Sequence, residues 1–133
     1  MFSKKNTTRL LPIQSLVGAD MVLKGDLSFQ GGLRIDGEVI GNVTADENAQ
    51  SLLVISETGK VRGSVRVGHV VVSGLIEGPI QVNQLLELHP SANVSGDVRY
   101  RALEMHPGAV VHGTLHHEGE EVMPGKLALA SSN

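Results

Sequence analysis

Short stretches of alternating apolar and polar residues run along most of this chain. The alternation is clearest over residues 61–67, 76–82 and 94–100. A period of two places successive side chains on opposite faces of a β-strand, whereas a helix needs apolar residues three and four positions apart. Gly, Pro, Ser, Asp and Asn separate the stretches, and these residues tolerate the dihedral angles of turns. The pattern therefore predicts many short strands joined by tight corners.

A glycine with an apolar residue two positions away on each side recurs along the chain. Eight of the glycines in this pattern are Gly25, Gly37, Gly41, Gly63, Gly74, Gly78, Gly96 and Gly113. Successive intervals of 16, 22, 15, 18 and 17 residues separate six of them, which are Gly25, Gly41, Gly63, Gly78, Gly96 and Gly113. A second apolar pair precedes the motif from Gly41 onwards. A repeat of this length is typical of a chain that coils upon itself. We predict a β-solenoid with six rungs that begin near Ser15, Leu33, Leu53, Val70, Leu86 and Leu103.

Stacking the predicted rungs aligns the apolar residues into inward columns. The columns are Leu23, Val39, Val61, Ile76, Val94 and Val111; Leu27, Val43, Val65, Ile80, Val98 and Leu115; and Phe29, Ala45, Val67, Val82, Tyr100 and His117. The glycines between the first two columns are expected at bends or facing outward. Residues 46–51 lengthen one rung and are interpreted as a surface loop. Outward Arg62 and Glu77 are expected to face each other one rung apart.

Composition narrows this prediction to a single domain with an aliphatic core. The 133 residues include two Phe, one Tyr, no Trp and no Cys. The lack of cysteine excludes disulfides, thiolate zinc sites and cysteine nucleophiles. The net charge of −3 argues against direct nucleic-acid binding. Residues 1–14 carry three bases and no acid, so we predict a flexible basic tail over 1–14, a solenoid over 15–116 and a flexible tail over 117–133.

Histidines near the carboxyl end are the main candidates for site chemistry. His112 and His116 share a strand pattern and His117 follows, so this group could hold a metal ion, but outward polar positions explain it better because no carboxylate or thiolate joins at ligand spacing. A β-solenoid acyltransferase of the hexapeptide-repeat kind, with His112 or His116 as base, is one alternative function. A non-polymerising adaptor is another. We expect no catalytic residue, no metal and no cofactor.

The two ends of such a solenoid are predicted to self-associate. An end rung presents apolar side chains and unpaired backbone groups, and solenoids normally cover them with polar caps. The flanking segments contain little that could serve as a cap. We therefore expect copies to stack through Val17, Leu23, Leu27 and Phe29 at the amino end and through Leu103, Met105, Val111 and Leu115 at the carboxyl end. The alternative is a monomer whose tails fold back over its ends.

The extreme amino terminus carries a minimal membrane-binding pattern. Met1 and Phe2 stand beside Lys4 and Lys5. Each lysine near anionic lipid contributes about 1 kcal/mol, and burying Phe2 adds about 1.5–3 kcal/mol. One copy would bind weakly, whereas an array of copies would gain by avidity. A disordered basic leader is the alternative interpretation.

Four motifs in this order resemble the bactofilins, bacterial polymer-forming cytoskeletal proteins. They are residues 24–27 (KGDL), 32–37 (GLRIDG), 69–74 (HVVVSG) and 96–100 (GDVRY), and the resemblance covers about residues 16–116. It implies a right-handed, three-faced parallel β-helix that assembles end to end into nonpolar filaments without nucleotide. It also implies attachment of Met1 to Lys5 to the cytoplasmic face of the inner membrane. Such scaffolds localise partners such as cell-wall enzymes or chromosome-segregation proteins.

Overall fold

The computed structural model describes residues 11–46 and 49–119. These residues contain fifteen short strands and no helix. The alternating pattern therefore predicted the right element type. The strands are β1 (Ile13–Val17), β2 (Val22–Lys24), β3 (Leu27–Phe29), β4 (Gly31–Ile35), β5 (Glu38–Ile40), β6 (Val43–Ala45), β7 (Ser51–Ile55), β8 (Lys60–Arg62), β9 (Val65–Val72), β10 (Leu75–Glu77), β11 (Ile80–Leu88), β12 (Asn93–Ser95), β13 (Val98–Met105), β14 (Val110–His112) and β15 (Leu115–His117).

These strands coil into six rungs with three faces, and every pairing between rungs is parallel. The wide face contains β1, β4, β7 and the second halves of β9, β11 and β13. The second face contains β2, β5, β8, β10, β12 and β14, one strand from each rung. The third face contains β3, β6, the first halves of β9, β11 and β13, and β15. The predicted three-faced parallel β-solenoid is confirmed.

The core lies inside the coil and is entirely aliphatic. The strand register aligns Leu23, Val39 and Val61 in one column and Val65, Ile80 and Val98 in another, as the repeat predicted. The buried core cluster contains only Val, Leu, Ile and Ala side chains, and in the middle rungs most of them are fully covered. Because each rung covers the apolar side chains of the next, burial depends on having a neighbour above and below.

Glycine is required where the second face bends into the third. Gly25, Gly41, Gly63, Gly78, Gly96 and Gly113 occupy this bend in successive rungs, all with positive φ. A Cβ on Gly78 would lie 2.2 Å from the carbonyl oxygen of Gly63 in the rung before it. The backbones therefore stack too closely here for any side chain. The sequence predicted these glycines either at bends or facing outward, and the structure places them at the bends.

Side chains also stack between rungs at the corners and on the second face. The backbone amide of Asn42 donates to Asp26 Oδ1 at 3.0 Å, and the side-chain Oδ1 of Asn42 accepts from the backbone amide of Ser64 at 2.9 Å. Arg62 forms the expected ion pair with Glu77 and a second one with Glu38, with Nε 2.7 Å from Oε2. The two carboxylates raise the pKa of Arg62. The charges of Glu38, Arg62 and Glu77 are therefore paired across three rungs.

The loop that lengthens one rung ends one residue earlier than predicted. Ser51 is the first residue of β7 and is buried, and its Oγ accepts a hydrogen bond from the Gly68 amide at 2.9 Å. A serine reads as a turn residue in the sequence, but here its hydroxyl satisfies a buried amide where β9 passes from one face to the next.

A carboxylate on the wide face holds two histidines from adjacent rungs. Glu87 Oε2 lies 2.9 Å from His69 Nε2, and Glu87 Oε1 lies 3.3 Å from His89 Nε2. Burial raises the pKa of the Glu87 carboxyl, but the hydrogen bonds and charges of the two histidines outweigh burial and hold that pKa below its usual value. The carboxylate form is therefore the one that the fold favours.

Substituting the bend glycines should separate backbone strain from steric clash. Gly78→Ala introduces both, and we expect it to lower the free energy of unfolding by at least about 2 kcal/mol. Gly25→Ala shares the positive φ but meets no atom within 4 Å, so it should cost about 1–2 kcal/mol. Gly18→Ala, which has neither problem, should change stability by less than about 0.5 kcal/mol. Chemical unfolding measures all three, and equal losses would contradict the stacking account.

The Glu87 cluster should make stability depend on pH in the acidic range. Because the folded pKa of Glu87 is lowered, its contribution is present above the unfolded pKa and is lost as the pH falls through the folded pKa. We expect the unfolding free energy of wild type to exceed that of Glu87→Gln at about pH 6 and the gap to close towards about pH 3. Glu57→Gln, at an exposed corner, serves as the control. A gap that is constant over this range would contradict the assignment.

Candidate self-association surfaces at the two ends of the solenoid

Exposed large apolar side chains concentrate on the first and last rungs. Seven of the eight in the described residues lie there: Ile13, Leu16, Met21 and Val22 on rung 1, and Met105, Val110 and Leu115 on rung 6. The eighth, Ile40, is on rung 2. Exposed apolar surface gathered in this way marks an interaction site.

The inward columns lose their cover at both ends for a geometric reason. Val98 is fully buried on rung 5, whereas Leu115, the next member of its column, is 42% exposed on rung 6. At the amino end, Leu23 and Leu27 are only half-buried although Val39 and Val43 beneath them are fully buried. These side chains face the interior of the coil, and they remain open because no further described rung covers them.

The backbone is open at the same two places. Strands β2 and β14 form the edges of the second-face sheet, and β1 and β15 lie at the ends of the other. Gly25 shows the open end most directly, since a Cβ there would meet nothing within 4 Å, whereas the equivalent glycines of rungs 2–6 would each meet a carbonyl of the rung before. Such edges can pair with strands of another molecule.

The eight predicted end residues lie on rungs 1 and 6, but they differ in exposure. Val17 is buried in the core, and Leu23, Leu27, Phe29, Leu103 and Val111 are half-buried and pack against it. Met105 and Leu115 are exposed. Together they form the apolar cross-section of each end rather than a separate patch.

Sequence reasoning missed the outward apolar residues of the end rungs. Val22 and Val110 begin and end a column whose middle members include Glu38, Lys60 and Asn93. Leu16, the most exposed of the group, stands over Arg34. The signal was available in the repeat: Leu16, Val22 and Val110 stand where the neighbouring rung carries Arg34, Glu38 and Asn93 at the same outward position.

The carboxyl end also carries polar groups that bond among themselves. His117 Nε2 lies 2.9 Å from the carbonyl oxygen of Arg101, and His116 Nε2 lies 2.9 Å from Thr114 Oγ1. The hydroxyl and amide of Thr114 donate to Asp97 and lower the pKa of that carboxyl. These histidines are exposed, and within residues 11–46 and 49–119 no group of three or more His, Cys, Asp or Glu is placed to hold a metal ion.

The predicted membrane-binding residues Met1, Phe2, Lys4 and Lys5 lie outside the described residues. In the described part of the chain, no helix is long and apolar enough to span a bilayer.

Comparison with known proteins gives one consistent result. The family model for bactofilins, described as polymer-forming cytoskeletal, matches residues 15–116. Bactofilin BacP of Myxococcus xanthus (strain DK1622) is 28% identical over 85 residues, which are 64% of this chain and 34% of that protein. Bactofilin BacO of the same organism is 26% identical over 98 residues, 74% of this chain and 72% of that protein. No solved structure gives a significant match.

The matched region and the solenoid coincide almost residue for residue. The family match runs from residue 15 to residue 116, and the strands run from Ile13 to His117. The aligned segment is only about a third of BacP, so the likeness concerns this domain. A six-rung β-solenoid with apolar open ends, matched over its length by this family model, belongs to the bactofilin family of polymer-forming cytoskeletal proteins.

Proposed function

We propose that this protein is a scaffold subunit that assembles end to end into filaments through rungs 1 and 6. One observation carries the proposal: nearly all exposed large apolar side chains of the described residues lie on these rungs. Stacking a second copy on either end would cover the open columns and pair the free strand edges. Membership of a polymer-forming family supports the same assignment.

The physical driving force requires no nucleotide. Fully covering a Leu, Val or Phe side chain contributes about 1.5–3 kcal/mol, and each end presents several of them. The sum of these contributions is comparable with the free-energy cost of association, about 4–15 kcal/mol, which arises from lost translational and rotational freedom. Added strand pairing and the repetition of the joint along a filament complete the balance. We propose a nonpolar filament, in which like ends meet.

Negative-stain microscopy of the purified chain without nucleotide tests the proposal. We expect filaments with an axial repeat near the length of one solenoid, about 30 Å, or of two where like ends alternate. Adding ATP or GTP should leave their number and length unchanged. Monomers that persist across salt and protein concentration would contradict end-to-end assembly.

A charge on the last rung should block one joint and reveal filament polarity. Leu115→Arg places a cation in an open apolar column, so the carboxyl end can no longer be covered. In a nonpolar filament the amino ends still meet, and we expect dimers by light scattering; a polar filament would yield monomers. The circular dichroism of the strands should be retained.

The matched control for this variant is Leu75→Arg. Leu75 is a half-buried outward residue in rung 4, away from both ends. We expect this variant to form normal filaments. Long filaments of Leu115→Arg, or loss of filaments in both variants, would contradict the assignment of the joint to the last rung.

We propose further that Met1, Phe2, Lys4 and Lys5 attach the filament to anionic lipid at the cytoplasmic face of the inner membrane, where it positions other proteins. Deleting residues 1–5 should abolish sedimentation with anionic liposomes while filaments persist. Lys4→Gln/Lys5→Gln should weaken binding in proportion to the lost charge, by roughly 1 kcal/mol per lysine in each copy. Equal sedimentation of full-length and shortened chains would contradict this role.

A further inference from the structure

The wide face differs from the third face in the residues that it turns outward. In its central rungs, the half-buried outward residues include Val54, Val71 and Leu85. The third face instead turns out Ser28, Thr44, Arg66, Gln81, Arg99 and His116, all of them polar. The wide face therefore carries an apolar stripe along the side of the rod, away from both ends.

Charged groups lie at both ends of this stripe. The outward column has a cation at one end and an anion at the other, and the adjoining corner has the reverse order. The strand register places Arg34, Val54, Val71 and Glu87 in one outward column, on rungs 2, 3, 4 and 5. At the adjoining corner, Asp36 stands beside Arg34, with Oδ1 2.8 Å from Nε. The corner residue next to Glu87 is His89. Arg34, Asp36, Val54, Val71 and His89 line one shallow groove together.

We propose that this face binds the same face of a second copy, with the two solenoid axes antiparallel. A two-fold axis between rungs 3 and 4 places Val54 against Val71 of the other copy. It also places Arg34 opposite the other copy's Glu87, and Asp36 opposite its His89. Every one of these contacts occurs twice, as an isologous interface requires. The surface is thus complementary to itself in charge, with its apolar residues meeting each other.

The charges select the antiparallel arrangement. If the copies ran parallel, each rung would meet its own equivalent, so Arg34 would face Arg34 and Glu87 would face Glu87. Like charges placed against each other across an interface cost several kcal/mol. In the antiparallel pair Glu57, which lines the same groove, falls opposite the Ser73 corner without a charged counterpart, and so does Glu104, which falls opposite Leu16 at the open edge of the contact. Water can keep both carboxylates solvated.

The area of the face determines how strongly two single subunits can pair. Five residues by six rungs cover roughly 17 by 29 Å, or about 500 Å² per copy. A stable complex of standard size buries about 800 Å² per partner, so single subunits should pair only weakly. In filaments whose successive subunits turn this face the same way, the contact repeats with every subunit, and avidity makes it strong. The inference therefore rests on the proposed end-to-end assembly and predicts paired filaments.

Mixing two charge-reversed filaments provides a direct test. Arg34→Glu filaments carry two repulsive contacts per pair with themselves, and so do Glu87→Arg filaments. When preformed filaments of the two variants are mixed, each introduced charge meets its opposite, and both ion pairs are restored. We expect each variant alone to lose lateral pairing by at least about tenfold and the mixture to regain it. Electron microscopy counts single and paired filaments.

A second arm uses the apolar stripe, so the test survives if Glu87→Arg is unstable. Val71→Asp should yield single filaments of normal length. Leu75→Asp is the matched control, since Leu75 is also outward, half-buried and in rung 4, but lies on the second face. Lys60→Glu, an exposed charge reversal on that face, is the control for Arg34→Glu. Both controls should pair like wild type.

Three results would overturn the proposal. The first is wild-type filaments that stay single at low salt, which would leave end-to-end assembly intact. The second is Val71→Asp filaments that pair as well as those of Leu75→Asp. The third is pairing that appears only after residues 120–133 are removed, which would make the chain's own tail the occupant of this face. A wild-type chain that forms no filaments would instead contradict the proposed function itself.

Discussion

Parallel stacking of one rung on the next is the constraint on which the whole structure depends. A rung cannot bury its own apolar side chains, because they point into a coil that only the neighbouring rungs close. Val98 is fully buried and Leu115 is not, although both occupy the same column, and the difference is one missing neighbour. The buried core and the open apolar ends thus have the same cause. The ends remain uncovered because the fold is periodic.

The corners show how far the stacking determines individual residues. The bend between the second and third faces accepts glycine alone, since the carbonyl of one rung occupies the place where a Cβ of the next would lie. The corner between the wide and second faces varies in length and is longer in some rungs, as at residues 56–59, although a Cβ on its Gly37 or Gly74 would also lie within 2.3 Å of a carbonyl oxygen of the rung before. The extra residues at 46–50 also leave the register intact, because an insertion at a corner affects only its own turn.

The three faces perform different tasks although one repeat generates them all. The second face carries satisfied ion pairs such as Arg62 with Glu38 and Glu77, and the third face is polar throughout. The wide face carries Val54 and Val71 between Arg34 and Glu87 in a single outward column, so its apolar stripe has a charge at each end. The ends and the wide face are therefore the surfaces on which the proposed filament and its proposed pairing depend.

The amino-acid sequence by itself determined the strands, the rungs, the inward columns and the Arg62–Glu77 pair, because a period of two and a repeating glycine leave little freedom once stacking is assumed. It also predicted self-association through residues that the structure places on the end rungs. Only the tertiary structure showed that Leu16, Val22 and Val110 extend those surfaces outward, and that Glu87 joins two histidines. These features depend on which residues lie next to each other across rungs, 16 to 18 positions apart in the chain, and the exposure of a side chain is decided by neighbours that no local pattern specifies.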